Sequence, residues 1–184
     1  MIDVSEEFGR FEDFPKIYRW SRECIITEKI DGTNAQVNIL PDGRVLAGSK
    51  NRYITPEADN FGFARWVKDH EDELRQGLGF GRHFGEWWGP GIQRGYGLKE
   101  KKFSLFNTTR WKELTSPRTC WDLVPILYQG PFGSEGVEGA MALLEAQGSQ
   151  ASPGFMRPEG IVVFHTQGHF LLKKTFEKDQ EGKG

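Results

Sequence analysis

At 184 residues the chain has room for one domain, or for two small ones at most. Its formal net charge of −2 excludes a global pull on polyanions, so any nucleic-acid contact needs a local basic patch. No apolar run is long enough to cross a bilayer and no signal-peptide pattern is seen at the N-terminus, so no membrane partner is expected. Cys24 and Cys120 sit in strand-like settings without metal-ligand spacing. They read as buried thiols of a reducing, cytoplasmic compartment, with a disulfide between them as the alternative.

In chain order, residues 24–29 and 33–40 predict strands, and Pro41-Asp42-Gly43 turns the second into a strand over 44–49. Residues 60–76 predict a helix, with Phe61, Ala64, Val67 and Leu74 on one face and Gly77, Gly79 and Gly81 ending it. A strand over 83–88 leads into a glycine-rich loop over 89–97, followed by strands over 103–106 and 120–128. Residues 135–146 predict a second helix and 148–154 a loop. A closing hairpin, 159–165 and 169–176, turns at Thr166-Gln167-Gly168. The charged tail over 177–184 is expected to fray. The fold class is α+β, mainly antiparallel sheets with a few flanking helices, in one piece.

The most telling peptide is Thr27-Glu28-Lys29-Ile30-Asp31-Gly32-Thr33-Asn34. An amine at the end of a buried strand is desolvated, which favours its neutral, nucleophilic form. Asp31 is placed to hold a metal or orient the amine, and Gly32 lets a ligand approach the backbone. Taken alone the pattern is also that of a strand followed by an Asp-Gly turn.

Five further segments follow it in a fixed order: Ser49-Lys50-Asn51-Arg52, Phe84-Gly85-Glu86-Trp87-Trp88, Phe103-Ser104-Leu105-Phe106-Asn107, Glu159-Gly160-Ile161-Val162-Val163 and Leu171-Leu172-Lys173-Lys174. In these six segments, from about Phe14 to Thr175, the chain resembles the covalent nucleotidyltransferase superfamily of polynucleotide ligases and mRNA capping enzymes. Glu before the lysine, Thr-Asn after the glycine, and Val124-Pro125-Ile126-Leu127-Tyr128-Gln129-Gly130 are similar to RNA ligases, the second phage RNA-ligase family in particular. The resemblance implies a nucleotidyltransferase (ATP-grasp-like ligase) catalytic domain over 1–176 and a flexible tail over 177–184. The OB-fold domain usual in DNA ligases and capping enzymes, and the C-terminal helical domain of the second phage family, are not expected here.

The resemblance also implies a role for each motif residue. Lys29 attacks the α-phosphorus of ATP, and Lys173 and Lys174 reach towards the same phosphate, Lys174 being slightly preferred. Glu28, Ile30, Asn34, Arg52, Glu86 and Lys174 contact the nucleotide, with Arg52 clamping oxygens through its guanidinium fork. Phe106 stacks on adenine, with Phe103 as the alternate. Asp31 and Glu159 serve a divalent metal, Mg²⁺ or Mn²⁺. Two departures stand out: the terminal lysines are adjacent where the family spaces them, and Asn107 replaces a common acid. His70, His83, His165 and His169 show no metal-ligand spacing.

The expected protein is a monomeric, ATP-dependent RNA ligase-like adenylyltransferase. It would form a lysyl–AMP, pass the AMP to an RNA 5′-phosphate and seal it to a 3′-hydroxyl, at free ends or at a nick, with a separate protein able to supply a C-terminal module. The alternatives are a minimal DNA nick ligase, a GTP-dependent capping guanylyltransferase, and a non-catalytic module that binds nucleotide or RNA ends. The basic and aromatic stretch from Arg82 to Lys102, with Arg94, Lys99 and Lys101, is the expected RNA contact.

Overall fold

A computed structural model describes residues 12–111 and 120–177. The tail expected over 177–184 lies, from residue 178 onward, outside the described residues. Strand β1 (Glu23–Lys29) is flanked by β9 (Gly160–His165) and β8 (Ile126–Pro131), and β10 (Phe170–Thr175) pairs with β9. The order β10-β9-β1-β8 makes a four-stranded antiparallel sheet. The second sheet contains β2 (Thr33–Ile39), β3 (Val45–Ser49), β4 (Tyr53–Ile54), β5 (Gly81–Trp88), β6 (Lys102–Leu105) and β7 (Asp122–Leu123). Its order is β4-β3-β2-β5-β6-β7, antiparallel except for the last pair. Antiparallel sheets with few helices are what the sequence predicts.

The predicted helix over 60–76 is two helices, α1 (Phe63–Asp69) and α2 (Glu71–Leu78), which meet at His70. Glu71, Asp72 and Glu73 open α2, where acids favour a new helix N-terminus. The Asp59 carboxylate caps the first turn of α1, accepting from the amides of Ala64 and Arg65 at 2.7 and 3.1 Å. Phe61 therefore stands outside the helix, half-exposed at φ 54°, and Phe63 takes the buried place. A short helix, α3 (Thr108–Trp111), follows β6, and α4 (Ser134–Gln147) lies where the second helix is predicted.

The predicted strand over 120–128 also divides. Pro125 carries no amide hydrogen for a ladder and restricts Val124 before it, so the chain leaves one sheet there and enters the other. β7 pairs parallel with β6, whereas β8 pairs antiparallel with β1. The freed carbonyl of Pro125 accepts the Glu28 amide at 3.0 Å.

Each sheet has one covered face. Helices α1 and α2 bury Val37, Phe63, Val67, Leu74, Phe103 and Leu105 against the six-stranded sheet. Helix α4 covers Cys24, Ile26, Ile161 and Val163 of the other. The chain passes between sheets at residues 30–32 and again at Val124-Pro125, and a third cluster of Ile30, Trp88, Tyr96 and Val124 fastens both passages. Gly32 is required there: a Cβ would stand 2.5 Å from the Trp87 carbonyl oxygen and 2.7 Å from the Trp88 Cβ. Among the described residues no helix is long and apolar enough to cross a membrane.

Candidate active site

The uncovered faces of the two sheets enclose a cleft of about 630 Å³, a size suited to a small-molecule ligand. Lys29, at the end of β1, projects into it and donates to Glu159 Oε2 at 2.6 Å. Glu86, from β5, lines the same end. Its carboxylate accepts from the Gly32 amide at 3.1 Å and from Asn34 Nδ2 at 3.5 Å. Burial pushes the Glu86 carboxyl up to about 7, Glu159 and Asp31 reinforcing the shift while Lys29 and the Gly32 amide oppose it. An amine and two carboxylates, those of Glu159 and Glu86, thus meet at one end of the cleft.

Away from Lys29 the walls are largely apolar and aromatic, with Arg82, His83, Asn107, Thr108, Thr109 and Arg110 also lining the cleft. The four-stranded sheet contributes Ile25, Thr27, Val162, Phe164 and Leu171; Phe84 and Phe106 come from the six-stranded one. Phe106 is half-exposed and its amide donates to the Phe84 carbonyl at 3.0 Å, so two open aromatic rings stand on adjacent strands. Phe103, the alternate stacking residue, is buried in the core against Phe63 and Trp66. Phe84 was not among the residues singled out as nucleotide contacts. Its alternation with Glu86 on β5 was the available signal.

Register separates the two terminal lysines. Lys173 pairs with Val162 and Lys174 with Ile161. Val162 lines the cleft, whereas Ile161 packs under α4. Lys173 therefore shares the cleft face with Leu171 and Lys29, and Lys174 takes the opposite face.

The remaining motif residues are dispersed. Glu28 points away from Lys29, and its buried Oε2 accepts the amides of Gln150 and Ala151 at 2.8 and 2.9 Å. Burial raises the Glu28 carboxyl above its ordinary value, against the Ser149 hydroxyl and those two amides. Glu28 and Ile30 both contribute to the lining of the cleft. Arg52 is exposed in the turn after β3 and does not line the cleft. Asp31 is paired with Arg94, whose Nε donates to Asp31 Oδ2 at 2.9 Å.

The predicted RNA-contacting stretch falls into separate places. Arg82 lines the cleft and Arg94 serves Asp31. Lys102 lies 3.9 Å from Asp122. Lys99 and Lys101 line a second concavity of about 450 Å³ with Trp66, His70, Trp87 and Pro90, near the helices on the far side of the six-stranded sheet.

Among the described residues no group of three or more His, Cys, Asp or Glu side chains is placed to ligate a metal. The carboxylates beside Lys29 instead suit a hard cation held mainly by phosphate oxygens and water, with one or two protein carboxylates.

The family model for RNA ligase matches residues 22–178. The chain belongs to the RNA ligase family. Its fold is similar to that of Naegleria gruberi RNA ligase. To a mutant of that protein with ATP and Mn the identity is 21%, with a TM-score of 0.67 over 90% of this chain and 53% of that one. To a mutant with AMP and Mn it is 22%, with a TM-score of 0.64 over 85% and 50%. To the form with PPi it is 20%, with a TM-score of 0.64 over 95% and 65%. The chain thus spans between half and two-thirds of those structures' length. A sequence comparison with curated proteins returned no match.

Proposed function

We propose that the protein is an ATP-dependent RNA ligase-like adenylyltransferase. The observation that carries this reading is the convergence of Lys29, Glu159 and Glu86 at one end of a cleft whose other end is aromatic and apolar. A nucleotide laid along it has its base between Phe106 and Val162, from opposite sheets, and its α-phosphate at Lys29. The neutral Lys29 amine, its proton lost to solvent, attacks the α-phosphorus. A P–N bond forms, the bond to the bridging oxygen breaks, and pyrophosphate leaves.

Lys173 stands on the correct face to neutralise charge on that phosphate. In this reading Glu86 and Asn34 contact the ribose hydroxyls. Glu159, with Asp31, would hold Mg²⁺ or Mn²⁺ through water, and the cation's contribution would be charge neutralisation at the phosphates. The AMP then passes to an RNA 5′-phosphate, and a 3′-hydroxyl displaces it to seal the strand. Lys99 and Lys101, beside Trp66, offer RNA a basic and partly aromatic concavity outside the nucleotide cleft.

Incubation with Mn²⁺ and α-labelled ATP or GTP, followed by a denaturing gel, tests the reading. ATP is expected to label the protein and Lys29→Ala to abolish the label. Label only from GTP, or label surviving Lys29→Ala, would overturn it.

A further inference from the structure

The glycine-rich loop between β5 and β6 is built at conformational cost. Gln93 and Tyr96 adopt φ 42° and 53°, alongside Gly89, Gly91, Gly95 and Gly97 at positive φ. Non-glycine residues held in the left-handed region persist where surrounding contacts fix them, and such strain gathers at functional sites. Here the contacts converge on the turn that follows the nucleophile. The Tyr96 ring is buried between Trp88 and Phe155, and its hydroxyl accepts the Asp31 amide at 2.9 Å. Its carbonyl accepts from Ser152 Oγ at 2.9 Å.

Arg94, from the same loop, reaches three segments of the opposite sheet's connections at once. Its Nε binds Asp31, its terminal nitrogens donate to the Glu177 carboxylate at 3.1 and 3.4 Å, and Nη1 donates to the Arg157 carbonyl at 3.4 Å. Arg157 lies two residues before Glu159, and Glu177 two residues after β10, the strand of Lys173. One guanidinium therefore joins the turn after Lys29 to the segments that carry Glu159 and Lys173.

We propose that Arg94 is a positioning residue for lysine adenylylation: by bridging Asp31, Glu177 and the Arg157 carbonyl it sets Lys29, Glu159 and Lys173 in mutual register. This rests on the function proposed above. A guanidinium suits the task because its fork serves several acceptors in fixed geometry, which an ammonium does not.

The test measures single-turnover lysyl–AMP formation against ATP concentration, beside thermal unfolding, for the parent chain, Arg94→Ala, Arg94→Lys and Tyr96→Phe. Arg94→Ala is expected to lower the limiting rate ~10- to 100-fold, the scale of small misplacements of reacting groups, with half-saturating ATP nearly unchanged. Arg94→Lys should recover part of the rate, and Tyr96→Phe should show a smaller loss of the same kind. An unchanged limiting rate in Arg94→Ala would overturn the proposal. So would an effect confined to half-saturating ATP, which would make Arg94 a nucleotide contact, or a rate loss matched by the loss of folded protein in all three variants. A parent chain that takes no AMP overturns the proposed function itself, whereas a labelling parent with an unaffected Arg94→Ala overturns only this inference.

Discussion

The covered and open faces of the same strands use similar residues for opposite ends. On the β5–β6 pair, Trp87 and Phe103 are buried beneath α1, whereas Phe84 and Phe106 stand open in the cleft. On β10 and its neighbour, Ile161 packs under α4 while Val162 and Leu171 line the cleft. Residue type alone therefore does not mark a ligand contact here. Strand alternation, together with which face a helix covers, decides whether an aromatic ring packs or waits for a ligand.

Phe103→Ala should cost about 3–5 kcal/mol of stability, the usual toll for truncating a buried aromatic, measured by denaturant unfolding. Phe106→Ala should leave stability within about 1 kcal/mol and raise half-saturating ATP by about tenfold, on the scale of one lost base stack. Equal destabilisation by both variants would abolish the distinction between the faces.

Glu86 is a buried group on the open side. Unfolded, its carboxyl ionises near 4.5, and folded at about 7. Between those values the folded protein keeps a proton that the unfolded chain has lost. Stability therefore falls as pH rises through that window and stays lower above it. Glu86→Gln removes the dependence and keeps an acceptor for the Gly32 amide. It should be more stable than the parent by about 3 kcal/mol at pH 8, little changed at pH 4.5, and slower in labelling. Parallel stability–pH curves for the two proteins would contradict the burial cost.

Glu159→Ala should slow adenylylation by about 10²-fold, the scale for losing a preorganised charged group, and chelation of divalent metal should stop it. Lys173→Ala and Lys174→Ala should diverge: the first slows labelling about tenfold or more, and the second has a small effect. A stronger effect from Lys174 would mean that the β9–β10 register in solution differs from the one described.

Much of this was legible in the sequence, and the rest was hidden for physical reasons. The apolar run before Lys29, the Asp31-Gly32 turn and the β5 motif around Glu86 are local patterns, and the fold keeps them local. Alternation placed Lys173 and Lys174 on opposite faces, but choosing the cleft face required their pairing with Val162 and Ile161. The break at Pro125 was written in the chain as a residue that cannot serve a central strand, yet its consequence, a passage between sheets, depends on tertiary pairing. The split at His70 arises from the acids that begin α2, which periodicity over the whole stretch averages away. The Asp31–Arg94 pair joins residues 63 positions apart through a loop of unusual backbone, and no local signal announces it.

The most direct test of the central claim is peptide mapping by mass spectrometry after incubation with ATP and Mn²⁺. One AMP adduct is predicted, on the peptide bearing Lys29, reversed to unmodified protein and ATP when pyrophosphate is added and absent in Lys29→Ala. An adduct on another lysine, or an unmodified Lys29 peptide in protein that still seals RNA, would contradict it.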